Sequence, residues 1–196
     1  MYDNTEVKII EQVYLKPGIH KRELSKQIKL KMPSIDYAIK KLGKSLKIDK
    51  SGNQINYSLD YSKNMIVPIL YEVEYLRFER LPVNVRFAVK DFLSELKEKP
   101  VIALIFGSYA KGNYNSNSDI DILFVFQKLQ SEKSIEDTAK KIGMKTNTII
   151  NPVYLDYNSF RENFHNSTKE FFKNIRKDKI ILVGIELWRQ LQNEEA

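Results

Sequence analysis

Apolar residues recur at helical intervals in the first half of the chain and gather into unbroken runs in the second, and the two patterns predict different architectures. Between about Asn4 and Leu15 the apolar positions are Val7, Ile9, Ile10, Val13 and Tyr14, a helical stripe that stops at Pro17-Gly18. A second short helix is expected over His20 to Ile28, with Leu24 and Ile28 on one face. A third begins at Pro33, a residue suited to the first helical position because its missing N–H would have no partner there anyway. Ile35, Ala38, Ile39 and Leu42 form its apolar stripe, and Gly43 ends or weakens it. Leu46-Lys47-Ile48 and Gln54 to Leu59 read as short strands joined through Ser51-Gly52-Asn53, a hairpin composition. Two amphipathic connecting helices, about Met65 to Phe78 and Val83 to Lys97, are separated by Leu81-Pro82.

Past residue 100 the period changes. Val101 to Phe106 is an unbroken apolar run, long enough for a buried strand, closed by Gly107-Ser108. A second strand, Ile120 to Phe126, follows the loop Lys111 to Ser118, and a third is expected over Ile149 to Leu155. Helical spacing returns between Ile135 and Ile142, then near Ser159 to Phe164, Thr168 to Arg176 and Ile185 to Leu191. The domains expected are 1–63, a connecting pair of helices over 64–98, and 99–196.

Charge sharpens this division. Of the 32 Lys/Arg and 25 Asp/Glu, residues 1–63 hold 13 against 7, which leaves 19 against 18 for the rest; the net +7 is almost all in the first part. Such asymmetry points to a polyanion for one half only. Three helices followed by a hairpin resemble a winged helix-turn-helix, in which the third helix enters the major groove of double-stranded DNA. Ser34, Tyr37, Lys40, Lys41 and Lys44 are the candidate DNA-binding side chains of that helix, with Asn53 and Gln54 on the wing. They suit phosphate anchoring better than base reading, because the helix has no Arg, Gln or Asn for bidentate contacts. A protein-docking or dimerisation module with merely solvating lysines is the competing reading, so a homodimer or a protein partner stays open. No apolar run approaches the ~20 residues of a membrane helix, and Asp3 and Glu6 stand where a secretory signal would carry positive charge, so a cytoplasmic location is expected. With no cysteine and only His20 and His165, any metal must be held by oxygen.

The chemistry is concentrated between residues 105 and 123. A buried strand running into Gly107-Ser108 and then a helix start offers backbone N–H groups to an anion, and Ser108 adds a hydroxyl. Asp119 and Asp121, two residues apart, project from one face of the next strand while Ile120 and Ile122 point into the core. Two carboxylates side by side repel, and the usual remedy is a divalent cation; Mg²⁺ is typically held by one or two carboxylates plus substrate phosphates. Two ions roughly 4 Å apart would serve the attacking and leaving oxygens. Taken singly, a Gly-Ser after a strand is a turn and an Asp-x-Asp a solvated strand edge. Here they come together, with ten residues between Ser108 and Asp119 and with Gly112 and Ser118 in place.

That constellation resembles the DNA polymerase β-like nucleotidyltransferase superfamily, particularly its small stand-alone prokaryotic members, over about residues 99 to 190. The resemblance implies an α+β chain: an N-terminal winged helix-turn-helix followed by a nucleotidyltransferase-fold α/β domain with a small mixed sheet flanked by helices. It also implies that Gly107, Ser108, Gly112 and Ser118 hold a nucleoside triphosphate (NTP) and that Asp119 and Asp121 are catalytic and bind Mg²⁺. Active members carry a third carboxylate on the next strand; here that place falls on Asn151, which cannot act as a base, with Asp156 as the other alignment or a helix cap. Two functions follow: a Mg²⁺-dependent transfer of a nucleoside monophosphate to a hydroxyl, or a DNA-binding regulator whose transferase-like domain is catalytically weak or only binds nucleotide. A toxin-antitoxin or HEPN-type partner is implied by family analogy alone.

Overall fold

The computed structural model describes residues 4–52, 54–129, 131–165 and 168–194, so Asn53 lies outside the described residues. The chain divides into two compact units, Met1–Val73 and Glu74–Ala196.

In the first unit, α1 (Asn4–Leu15) is followed by a two-residue strand β1 (Ile19–His20), then α2 (Lys21–Ile28), α3 (Met32–Leu42), β2 (Leu46–Ser51) and β3 (Gln54–Leu59). The helical stripes expected from sequence are buried: Val7, Ile9, Ile10, Val13 and Tyr14 of α1, Leu24 of α2, and Ile35, Ala38 and Leu42 of α3. His20 caps α2, its Nδ1 accepting the N–H of Glu23 at 3.1 Å, and this satisfies one donor that the helix leaves open. Pro33 lies in the first turn of α3 and Gly43 ends that helix. The hairpin pairs Ser51 with Gln54, and β1 adds to the outer side of β3, giving an antiparallel order β1-β3-β2. The sequence pattern missed β1 because two residues make no period.

A 3-10 turn (Asn64–Ile66) leads into α4 (Val67–Glu79), which crosses the division between the units. The second unit continues with α5 (Val83–Glu95), β4 (Ile102–Ile105), α6 (Gly107–Lys111), β5 (Ile120–Phe126), α7 (Glu132–Thr146) and β6 (Ile150–Asp156), and ends with α8 (Tyr157–Phe164), α9 (Glu170–Lys177), β7 (Ile180–Val183) and α10 (Ile185–Glu194). Its sheet is mixed, with order β6-β5-β4-β7; β5 and β6 are parallel, joined through α7, and the other pairs are antiparallel. Ile120, Ile122, Phe124 and Phe126 point to one face of β5 and pack with Val85, Val89 and Phe92 of α5 and Ile135 and Ile142 of α7. Phe160, Phe164 and Trp188 of α8 and α10 form a second aromatic cluster, with ring centroids 4.9 Å apart for Phe164 and Trp188. The strand β7, four residues flanked by Lys179 and Gly184, was not expected.

One helix departs from its expected polarity. In α4 the tyrosines Tyr71 and Tyr75 are exposed while Glu74 and Arg77 are buried, so part of the amphipathic pattern is inverted.

Candidate functional site

The end of β4 and the start of β5 meet because the two strands are antiparallel, Ile105 facing Ile122. The N–H of Phe106 donates to the backbone carbonyl of Asp121 at 3.0 Å, which fixes the next residue, Gly107, against the Asp121 side chain. Gly107 has φ +69°, and a Cβ there would lie 2.1 Å from Asp121 Oδ2. Any side chain there would strain the left-handed backbone and displace the Asp121 carboxylate. Gly107 then opens α6, and Gly112, also left-handed at φ +74°, closes it by donating its N–H to the carbonyls of Ser108 and Tyr109. Nothing crowds a Cβ at Gly112, so its glycine serves the backbone turn.

Asp119 and Asp121 flank the buried Ile120, and their carboxylates converge on a third side chain. β6 runs parallel to β5 with Asn151 opposite Asp121, and the Asn151 amide nitrogen lies 3.1 Å from Asp119 Oδ2 and 3.4 Å from Asp121 Oδ1. Burial pushes the Asp121 carboxyl above the ordinary carboxylate range; the Asn151 hydrogen bond draws it down and the charge of Asp119 raises it further. Asp156 stands at the other end of β6, opposite Phe126, and caps α8: its carboxylate accepts the N–H and the hydroxyl of Ser159 at 2.9 and 2.8 Å. Those bonds hold its pKa below the usual value. The structure thus brings Asn151, and not Asp156, to the aspartate pair.

Ser118 uses its hydroxyl within the loop, accepting the N–H of Asn115 at 2.9 Å. Tyr109 stacks on Tyr114 with centroids 4.6 Å apart and donates its hydroxyl to the Ser118 carbonyl, so two rings brace the loop that delivers Asp119. This brace was not anticipated, although a tyrosine directly after Gly107-Ser108 with another five residues on is its visible trace. A cleft of about 510 Å³ opens beside Asp119, lined also by Tyr109, Ser118, Asn147, Thr148 and Ile149, a size usual for small-molecule sites.

The profile of the nucleotidyltransferase domain family matches residues 88–184. A Methanocaldococcus jannaschii protein whose name classes it provisionally as a protein adenylyltransferase is 33% identical over 67 residues, covering 33% of this chain and 68% of the relative. A second protein of that organism, with the same description, is 30% identical over 104 residues, 51% of this chain and 99% of the relative. The chain belongs to the nucleotidyltransferase family. Two solved toxin-antitoxin structures, one described with AMP-PNP, align to this chain at TM-scores of 0.42 and 0.41. They are 19% and 16% identical and cover 56% and 58% of this chain and 81% and 83% of theirs.

Among the described residues, no three His, Cys, Asp or Glu side chains gather at one point. The donor set at the strand edge is two carboxylates and an amide. It suits a hard, oxygen-seeking cation such as Mg²⁺, provided that Asn151 turns to present Oδ1 and phosphate oxygens complete the shell. Among the described residues no helix is long and apolar enough to cross a membrane.

In the N-terminal unit Ser34, Tyr37 and Lys40 are exposed on α3, Tyr37 at 68%. One expectation for the third helix needs correction, the placing of Lys44 on it. Lys44 lies in the 3-10 turn Gly43–Ser45, one step beyond the helix, because Gly43 ends α3 first. Lys41 is exposed on α3, and its ammonium pairs with the buried carboxylate of Glu6 in α1.

Proposed function

We propose that the C-terminal unit transfers a nucleoside monophosphate, with AMP the leading candidate, from an NTP to a hydroxyl group of a protein. The convergence of Asp119, Asp121 and Asn151 beside Gly107-Ser108 carries this reading, and the names of the two archaeal relatives support adenylyl and protein as donor and acceptor class. Gly107 and the N–H groups at the start of α6 receive the β- and γ-phosphates, and Ser108 adds its hydroxyl. Asp119 and Asp121, with Asn151 turned, would hold Mg²⁺, which when bound neutralises phosphate charge and favours loss of pyrophosphate. The acceptor oxygen bonds to the α-phosphorus as the bond from that phosphorus to the bridging oxygen breaks. Pyrophosphate departs and the hydroxyl proton passes to solvent, since Asn151 cannot take it. Isothermal titration of the full chain with ATP, GTP, CTP and UTP, with and without Mg²⁺, tests the site. Mg²⁺-dependent binding that disappears in the Asp119→Ala/Asp121→Ala variant is expected; absence of binding by every nucleotide sinks the reading.

The N-terminal unit, on the same proposal, is a winged helix-turn-helix that binds duplex DNA. Its order of three helices and a hairpin supports this, as do the exposed Tyr37 and Lys40 on α3, Lys44 in the turn that follows it, and Lys47 and Lys50 on β2. Fluorescence anisotropy with labelled duplex at low salt is the check, because phosphate contacts are strongest there. No binding under those conditions would remove DNA as the partner. DNA binding by a chain that binds no nucleotide would leave the regulator in place of the enzyme.

A further inference from the structure

Three charged side chains lie buried in the C-terminal unit. Glu74 and Arg77, near the end of α4, are 1% and 8% exposed, and Lys179, just before β7, is 4% exposed. Arg77 Nη1 lies 3.1 Å from Glu74 Oε2, while its other terminal nitrogen, Nη2, donates to the carbonyl of Ala110 at 3.4 Å. Lys179 donates to the Arg176 carbonyl at 2.6 Å and sits 5.1 Å above the Trp188 ring. Burial lowers the Lys179 pKa to about 8; Glu74 opposes the shift and Arg77 adds to it.

Burying such charges is seldom a route to stability, since well-packed apolar residues of similar size often serve as well or better. The destination of the second Arg77 nitrogen suggests another reason. Ala110 belongs to α6, a helix of five residues, too short to persist alone. Gly112 bonds the carbonyls of Ser108 and Tyr109, whereas the Ala110 carbonyl is met from outside by Arg77. One end of α6 is therefore fixed by Gly107 against Asp121 and the other by Arg77.

We propose that Arg77, oriented by Glu74 with Lys179 beside it, is a positioning residue of the nucleotide site: it anchors α6 so that Gly107 and Ser108 are presented to the triphosphate. The inference rests on the nucleotide-binding reading above.

Titration of the full chain with Mg²⁺-ATP and with Mg²⁺-tripolyphosphate, alongside melting curves, separates positioning from packing. The apolar variant Glu74→Leu/Arg77→Met is expected to keep or raise Tm while affinity for both ligands falls about tenfold or more, the scale of lost outer-shell support. Arg77→Lys, which keeps charge and bulk but not the planar fork, is expected to bind both more weakly than wild type and more tightly than the double variant. Wild-type affinity in a folded double variant overturns the proposal, and so does wild-type affinity in Arg77→Lys should the double variant fail to fold. If the wild-type chain binds neither ligand, the nucleotide reading itself falls and this inference with it.

Discussion

In the N-terminal unit the candidate contacts are long side chains exposed to solvent, Tyr37, Lys40 and Lys44. In the C-terminal unit the corresponding groups are fixed by strands and by one another: Gly107 against Asp121, and Asn151 across both aspartates. The first arrangement suits a partner recognised by charge, where several cations share the work. The second suits chemistry, where a displacement of about 1 Å can cost a hundredfold. Tolerance to substitution should differ accordingly between the two units.

Gly107→Ala should break the comparison hardest. Its methyl group would sit on Asp121 Oδ2, so Mg²⁺-dependent ATP affinity is expected to fall by about a hundredfold or more in titration, with duplex binding unchanged. Asn151→Asp goes the other way: a third carboxylate adds charge and an oxygen ligand, and Mg²⁺-dependent ATP affinity should rise about tenfold. No rise would mean that the amide already supplies all the site requires. In the N-terminal unit, Lys40→Ala/Lys44→Ala should flatten the dependence of log affinity for duplex on log salt by about two, one for each lost phosphate contact. Lys41→Ala should instead lower Tm, because its charge is paired with buried Glu6.

The smallest effect is expected at Asp156. Its folded pKa is depressed, so the stability it contributes is present above its ordinary value of 3.8 and is lost as pH falls through the lower folded value. Asp156→Ala should lower Tm at pH 7 by about 2–4 °C, the effect of a lost helix cap, and remove that acid-limb contribution. Loss of ATP binding in this variant would make Asp156 part of the site after all.

The helices and strands of each unit were largely legible in the sequence wherever a period was long enough to count. The stripe Ile35, Ala38, Leu42 placed α3, and the run Ile120 to Phe126 placed β5. The aspartate pair and the Gly-Ser turn were legible for a related reason, since strand alternation fixes which side chains share a face. Partnerships made far along the chain were not. Nothing local marks Lys41 as the partner of Glu6, or Arg77 as that of Ala110, because charged residues on a helix read as solvent-facing until tertiary packing decides otherwise. Asn151 was placed by counting from a resemblance, but its bond to both carboxylates depends on the register of β6 against β5.

That parallel register bears on when the site exists during folding. Antiparallel β4 and β5 can meet across a loop, but β6 reaches β5 only after α7 has formed and folded back, a closure that local contacts do not drive. Gly107 and Asp121 should therefore be assembled early and Asn151 late. In native-state hydrogen exchange, the Ile120 amide, bonded to the Ile149 carbonyl, would report the opening of that last seam, and the Phe106 amide, bonded to Asp121, the persistence of the first.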